Sequence, residues 1–583
     1  MMSAQAAAAH SAHSAARPTA TPTKGQHHGL THLGAMVRFT LRYNWLRLFI
    51  WFLLTVGMVA FVAIYYTYLS QHSADFASQF EGLLANPSML AMLGSVTTVG
   101  NADAPLGALV WMKIWMFTAL MLSIGMLFLV THNLRADEDS GRIELFRSRP
   151  LGLHSRLGAT VIVTAVFSLV IGILIALVSM GLQLNLGTHG TDYGMAGSWV
   201  FGLSITMAGW LGIGIAALFN ELAPSSGTAN TLGTALIAVF YLIRMVAELF
   251  SSANGSPSAA LWISPLGWAE KMDPWGNNLV WPLFAMLVLF AVFVLVAWII
   301  EDKRDYDGSL IPARLGKAQA GNLMTRVWGL SVRLHRTSFI SWAIGVAIFA
   351  AVFGSIVQQF ASMVADLGLQ GLSTAGVNPE YLIIGMLACF ISLAICAFTI
   401  QSAGMMSLDD SRGLLEAQLA GGVSRLGWIL QRLLVTVIGT VLLLLIGGLF
   451  FGVSCAASLN DWSYLPLVLG AVFVHFPSML ALLGVVVFCF GWLPRLAIPL
   501  GWVFEGATWF ALIVLMTLNI PQSVIRFLPF LNLSTVPATT LTWQTGAGAH
   551  MLSWWRFFFM LGVALVLIIV GLIGFRRRNV PSN

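Results

Sequence analysis

The chain has 583 residues, of which 58% are hydrophobic and 9% charged, with a formal net charge of +6 and a mean hydropathy of +0.84. Soluble domains carry about 25% charged and about 45–50% apolar residues, so a water-soluble globule is excluded. The apolar residues fall in long runs rather than in short alternating segments, which excludes a transmembrane β-barrel with a polar lumen. A spanning helix needs about 20 mostly apolar residues, and an all-α polytopic membrane protein is predicted. Cys389, Cys396, Cys455 and Cys489 all lie inside apolar runs and read as small hydrophobes rather than as a disulfide framework.

Residues 1–35 are rich in Ala, His, Ser and Thr and lack an apolar core of signal-peptide length. They read as a disordered cytoplasmic tail in which His27-His28 is incidental. Twelve spans are expected, at 45–69, 106–132, 159–184, 197–220, 229–251, 279–301, 339–364, 381–405, 430–457, 464–490, 496–518 and 554–575. They divide into a first half over 36–301, a cytoplasmic linker over 302–322 and a second half over 323–583.

Sidedness follows from the basic residues, which cytoplasmic loops retain. Of 29 Lys and Arg, 24 fall on one side. They occupy the tail and first-helix approach, the loops after the second and eighth spans, the linker, Arg495, and Arg576 to Arg578. Lys271, Arg526 and Arg556 lie in the opposite loops, and Lys113 and Arg244 lie within spans. Both termini are therefore expected in the cytoplasm, and the positive charge marks topology, with no nucleic-acid partner.

The two halves repeat. Asp137-Glu138-Asp139-Ser140-Gly141-Arg142-Ile143-Glu144 follows span two, and Asp409-Asp410-Ser411-Arg412-Gly413-Leu414-Leu415-Glu416 follows span eight. At a gapless offset of 272, Asp137 meets Asp409, Gly141 meets Gly413, Glu144 meets Glu416, and Glu138 meets the acid Asp410. A basic amphipathic stretch precedes each first span (Met36 to Asn44, Leu323 to Arg336). A Pro-containing turn follows each fourth span (Pro224, Pro494), and long segments rich in Pro and Trp (252–278, 519–553) precede each sixth. Six spans per half make the repeat parallel, a transporter architecture with a central path between similar halves. The stretch from Asp137 to Arg156, with Leu145 and Phe146 as its apolar side, fits a short amphipathic helix along the cytoplasmic face. A solvated turn that merely fixes topology is the blander alternative. Recurrence favours docking of a soluble partner, with Arg147 and Arg149 giving charge complementarity.

These features resemble ATP-binding cassette (ABC) exporters of the type V fold. Arg135-Ala136-Asp137-Glu138-Asp139-Ser140-Gly141-Arg142-Ile143-Glu144-Leu145 resembles the R-x-E-E-x-G-R-x-E-L signature of the actinobacterial "exporter of polyketide antibiotics" permeases, an ABC-2 type family. The stretch from Glu416 to Trp428 is similar to that family's E-L-L-L-A-x-P-V-S-R-x-x-W. Leu310-Ile311-Pro312-Ala313-Arg314 resembles its L-L-P-A-R, and Ser264-Pro265-Leu266-Gly267-Trp268 its S-P-L-G-W. Two departures stand out: Arg412-Gly413 replaces Gly-Arg, and Gly422 stands where Pro is usual.

The resemblance implies a transport subunit, not an enzyme, that moves hydrophobic or amphipathic compounds out of the cell. A separate ABC ATPase, in two copies, would hold ATP and Mg and dock on Asp137, Glu138, Gly141, Arg142, Glu144, Asp409, Asp410, Gly413 and Glu416. The chain itself carries no G-x-x-x-x-G-K-[ST] loop, and its segment 302–338 is too short for a nucleotide-binding domain. No catalytic or metal-ligating constellation is expected.

Charges inside spans are costly and are functional candidates. Arg244 and Glu248, four residues apart, share a helix face and can neutralise each other. Glu505 stands between Trp502 and Trp509, and Lys113 among Trp111, Trp115 and Phe117 is expected to snorkel. A greasy cavity for a bulky hydrophobic substrate would draw on Phe117, Phe240, Tyr241, Arg244, Glu248, Phe390, Phe504, Glu505 and Trp509. The alternative is a proton-coupled multidrug antiporter, which Asp139-Ser140-Gly141-Arg142 faintly suggests. The acidic loop neighbours, their recurrence and the scarcity of membrane acids count against it.

Overall fold

The computed structural model describes residues 29–72, 93–94, 97–100, 103–142, 144, 151–187, 190–254, 259–304, 308–310, 327–358, 361 and 379–518, and 551–578. The tail with His27-His28, Leu145 to Arg149, Ile311 to Arg314 and most of 519–553 lie outside the described residues. The chain divides into two compact units, 1–315 and 316–583.

The first unit holds α1 (Leu33–His72), α2 (Leu106–Asn133), α3 (Arg135–Asp139), α4 (Ser155–Gly181), α5 (Ala196–Leu222), α6 (Ser226–Asn254), α7 (Pro265–Glu270) and α8 (Trp281–Lys303). The second holds α9 (Val327–Ser355), α10 (Pro379–Ser411), α11 (Leu414–Ala420), α12 (Arg425–Leu459), α13 (Tyr464–Phe473), α14 (Phe476–Trp492), α15 (Ala497–Leu518) and α16 (Met551–Arg577). Among the described residues no strand forms beyond two isolated bridges. Eleven helical segments among the described residues are long and apolar enough to cross a membrane, and α15 stands where the remaining expected span lies. The protein is an all-α polytopic membrane protein.

Two elements differ from the sequence expectation for identifiable reasons. The amphipathic stretch before span one is continuous with it, so α1 runs 40 residues, about 60 Å at 1.5 Å per residue and twice the hydrocarbon thickness. In its first half the buried positions, Met36, Thr40, Asn44 and Leu48, recur every four residues, and Thr55, Val56, Val59 and Ala63 are buried further along, so one narrow stripe packs while most of the surface faces outward. The span expected over 464–490 is broken between α13 and α14, where Pro477 occupies the first turn of α14. Proline has no N–H to continue the upstream helix.

In each unit the second and fourth spans are the enclosed ones. Of their most apolar windows, 72% of α2 and 89% of α5 is buried, against 78% of α10 and 67% of α13–α14. Polar side chains hold these helices together where no water competes. Trp115 Nε1 donates to Ser204 Oγ at 2.8 Å, and Asn220 Nδ2 donates to Thr131 Oγ1 at 3.2 Å. Both pairs are 89 residues apart, which requires α2 and α5 to run parallel and in register, crossing in the same direction. In the second unit Thr399 meets Thr440 at 2.9 Å and Ser402 meets Thr436 at 2.8 Å, joining α10 to α12.

Close helix approach rests on facing glycines. A Cβ at Gly202 would lie 2.1 Å from the Gly172 carbonyl oxygen, and one at Gly491 would lie 2.2 Å from that of Gly571. Backbone cannot yield as a flexible side chain can, so larger residues force the helices apart. Gly491→Leu is expected to lower stability by at least ~1–3 kcal/mol, read by thermal unfolding of the purified protein in detergent. Gly562→Leu is expected to have no effect, because the position is exposed and a Cβ there meets nothing within 4 Å. Equal stability of both variants would refute the packing assignment.

Candidate functional site

In the first unit α2 ends at Leu134, whose φ of −109° and ψ of −86° break the helix before the one-turn α3. The chain then turns through Gly141 at φ +69°, a left-handed conformation that glycine adopts without a Cβ penalty. Glu138 points inward, its side chain 9% exposed, and meets Arg135 at 3.0 Å, Arg156 at 3.4 Å and Arg304 at 3.0 Å. Arg304 also reaches Glu221 at 3.0 Å. Arg135, 2% exposed, bonds the Pro224 carbonyl at 2.9 Å, and Asp139 accepts from the Ser226 amide at 2.7 Å. Arginines from α3, from the start of α4 and from the end of α8 thus converge on one carboxylate, and α5 joins them through the Arg304–Glu221 pair. Asp137 pairs loosely with Arg142 at 3.6 Å; Arg142 and Glu144 are exposed.

The second unit builds the same station with different partners. Gly413 turns at φ +70° and caps α11. The glycines aligned at offset 272 therefore share one backbone conformation despite the inverted Arg-Gly order. Asp409 meets Arg432 at 2.5 Å, with Gln418 and the Trp428 indole closing the pocket. Asp410 meets Arg578 at 2.7 Å. Arg578 also donates to the Phe490 carbonyl at 3.0 Å and lies over the Phe490 and Phe575 rings. Leu415 is buried and anchors α11, while Leu414, Glu416 and Ala417 are exposed. The Gly422 departure has a local reason: its φ is +83°, which proline, fixed near −65°, cannot adopt. Ser424 then caps α12 by accepting from the Gly427 amide.

The nine docking candidates therefore fall into two groups. Glu138, Asp409 and Asp410 commit their carboxylates to internal ion pairs, and Gly141 and Gly413 make the turn. Arg142, Glu144 and Glu416 face outward, with Asp137 half-covered between them. The arginines that complete the clamps, Arg156, Arg304, Arg432 and Arg578, carried in the sequence only a topology signal. One further sign was present: Arg304 and Arg578 each directly follow the last span of their unit, as Glu138 and Asp410 each follow the second.

The intramembrane charges separate likewise. Arg244, fully buried, donates from Nε to Glu270 at 2.7 Å, a partner on α7 that helix periodicity could not reveal. Gly94, at φ +96°, closes over this pair; a Cβ there would lie 2.6 Å from Arg244 Nη2. Glu248 is buried one turn further along α6. The Ser264 hydroxyl ties the S-P-L-G-W stretch to the Phe240 carbonyl at 2.7 Å, and Phe240 and Tyr241 are half-buried. Phe117 is half exposed on the surface of its unit. Trp111 and Trp115 stack at 5.0 Å in the core beside half-buried Lys113. In the second unit Glu505 is 3% exposed. Its Oε1 accepts from Trp509 Nε1 at 3.2 Å, and its Oε2 has no hydrogen-bond partner among the described residues. Trp509 lies 5.4 Å from Phe390, which meets Phe353 edge-on, and Phe504 is half-buried.

The sequence that builds these two helical units is similar to that of known proteins. Residues 33–300 and 324–576 match the family described as "Multidrug efflux system permease Rv1217c, C-terminal domain". The chain is similar to the "Multidrug efflux system permease protein Rv1217c" of Mycobacterium tuberculosis (strain ATCC 25618 / H37Rv), with 28% identity over 581 residues, covering 97% of this chain and 98% of that protein. The matched residues take in nearly every described helix, both clamped loops and the buried charges of both units, so the chain belongs to the Rv1217c family of multidrug efflux permeases.

Proposed function

We propose that the chain is the transmembrane subunit of an ATP-driven ABC exporter that carries hydrophobic or amphipathic drugs, antibiotics or lipid-like compounds outward. A separate ATPase, in two copies, holds ATP and Mg and docks on the loops around α3 and α11, which lie on the cytoplasmic side with both termini. The observation that carries this reading is the matched pair of exposed acids, Glu144 and Glu416. Each stands three residues past a left-handed glycine, and just before that glycine an inward carboxylate, Glu138 on α3 or Asp410 in the last turn of α10, is paired with the arginine that follows the unit's last span. A rigid loop with an outward acid transmits force in a way a mobile one cannot, and charge on its rim sets docking register more than affinity. The chain has no phosphate-binding loop of its own.

One observation favours a second reading, a proton-coupled antiporter: the buried, half-partnered carboxylate of Glu505. Energy coupling separates the two. Efflux from cells is expected to persist when the proton gradient is collapsed with ATP maintained, and to stop when the partner ATPase carries a dead catalytic site. Transport driven by a pH gradient alone in proteoliposomes, abolished by Glu505→Gln, would establish the antiporter instead.

Glu144→Lys combined with Glu416→Lys is expected to abolish copurification of the ATPase and drug efflux while leaving thermal stability unchanged. Glu138→Gln is expected to lower stability by about 3 kcal/mol, the scale for removing one partner of a buried ion pair. Unchanged efflux and complex formation in the double variant would return Glu144 and Glu416 to the role of topology signals.

A further inference from the structure

Helices α9 and α12 of the second unit pack along each other. Near their basic ends they leave a groove of about 260 Å³, bordered by Trp328, Arg336, Phe339, Phe398, Ile438 and Leu442. Its floor exists because residue 439 is glycine: a Cβ there would meet the Phe398 ring at 2.8 Å. Phe398 is buried and meets Phe339 edge-on at 6.1 Å, so the floor is fixed. Ile438 and Leu442 are each 43% exposed and continue the outward apolar face of α12, which opens the groove to the lipid phase rather than to water.

The polar groups at the groove differ in their commitments. His335 is turned inward, its two ring nitrogens within 2.7 Å of the Ser331 carbonyl and 3.2 Å of the Ser402 carbonyl. Arg336 is exposed and forms no ion pair among the described residues, and no acid borders the groove. Trp328, 37% exposed, lies two turns nearer the basic end, where an amphipathic ring sits at headgroup level. The groove is smaller than the roughly 300–1,000 Å³ of sites for drug-sized ligands. Its walls present no hydrogen-bond pattern to a ring system. An unbranched chain with an anionic head matches the small apolar volume and the charge.

We propose that this groove holds one acyl chain of an anionic phospholipid whose phosphate is bound by Arg336. The arginine stem lies along the apolar wall while its guanidinium reaches the headgroup plane, and the anionic leaflet surface supplies the long-range attraction. The site stands apart from the docking loops and does not depend on how transport is energised.

The test uses the purified full-length chain in detergent, titrated with phosphatidylglycerol or phosphatidylcholine and read by native mass spectrometry. One phosphatidylglycerol per chain is expected to be retained in preference to phosphatidylcholine, and Arg336→Gln is expected to remove a roughly fivefold preference, the size of one basic residue at an anionic surface. Arg336→Lys should keep most of that preference. Ile438→Trp, which fills the mouth from an already exposed position, should reduce retention of both lipids. Wild-type retention in both Arg336→Gln and Ile438→Trp would overturn the proposal. So would full competition by soluble glycerol phosphate, which would make the site one for free phosphate, or stoichiometric displacement of the lipid by a transported drug. If Ile438→Trp fails to fold, Arg336→Gln, exposed and unpaired, decides the question alone.

Discussion

A charged side chain at the end of a membrane helix has two stable outcomes: it reaches water, or it meets an opposite charge inside the protein. Both units adopt the second at one station. Arg304, directly after α8, meets Glu138, and Arg578, directly after α16, meets Asp410. In the first unit the pair ties the last span to α3, directly after the second span, and in the second unit it ties the last span to the final turn of α10, directly before the Gly413 turn. The turns at Gly141 and Gly413 thus follow ion-paired segments that sit at the ends of packed helices, with Glu144 and Glu416 exposed just past them.

The two clamps are built differently, which says what the repeat preserves. In the first unit Glu138 gathers three arginines, from α3 and from the ends of α4 and α8. In the second the work is divided: Asp409 takes Arg432 from α12 and Asp410 takes Arg578. Acid and arginine are kept at matching stations while the surrounding partners differ. A buried pair is weak support for net stability, so its retention in both units points to fixing one loop geometry.

The sequence made the spans legible because an apolar run long enough to cross a bilayer has few alternative uses. The turn at Gly141 and Gly413 was legible through the 272-residue offset. What periodicity could not supply was partners. Arg244 and Glu248 share a helix face by their spacing, but no spacing pointed to Glu270, which bonds the guanidinium from a separate short helix 26 residues on. Glu138 and Asp410 read as docking acids because local sequence cannot distinguish an inward carboxylate from an outward one when its arginine lies 166 or 168 residues away. The break between α13 and α14 was written in Pro477 and was masked by the hydrophobicity around it. Glu505 and its aromatic neighbours, by contrast, were visible as a cluster, since Trp509 lies one helical turn from it.

The central claim is that the loop past each left-handed glycine is where a soluble ATPase meets this permease. Site-specific photo-crosslinking tests it most directly, with a photoreactive residue placed singly at Glu144, at Glu416 and at Trp462, an exposed position between α12 and α13 at the opposite end of its unit. In cells that coexpress the cognate ATPase, the account predicts an ATPase adduct from positions 144 and 416 and none from 462. Absence of an adduct at both loops, or an equal yield from position 462, would contradict it.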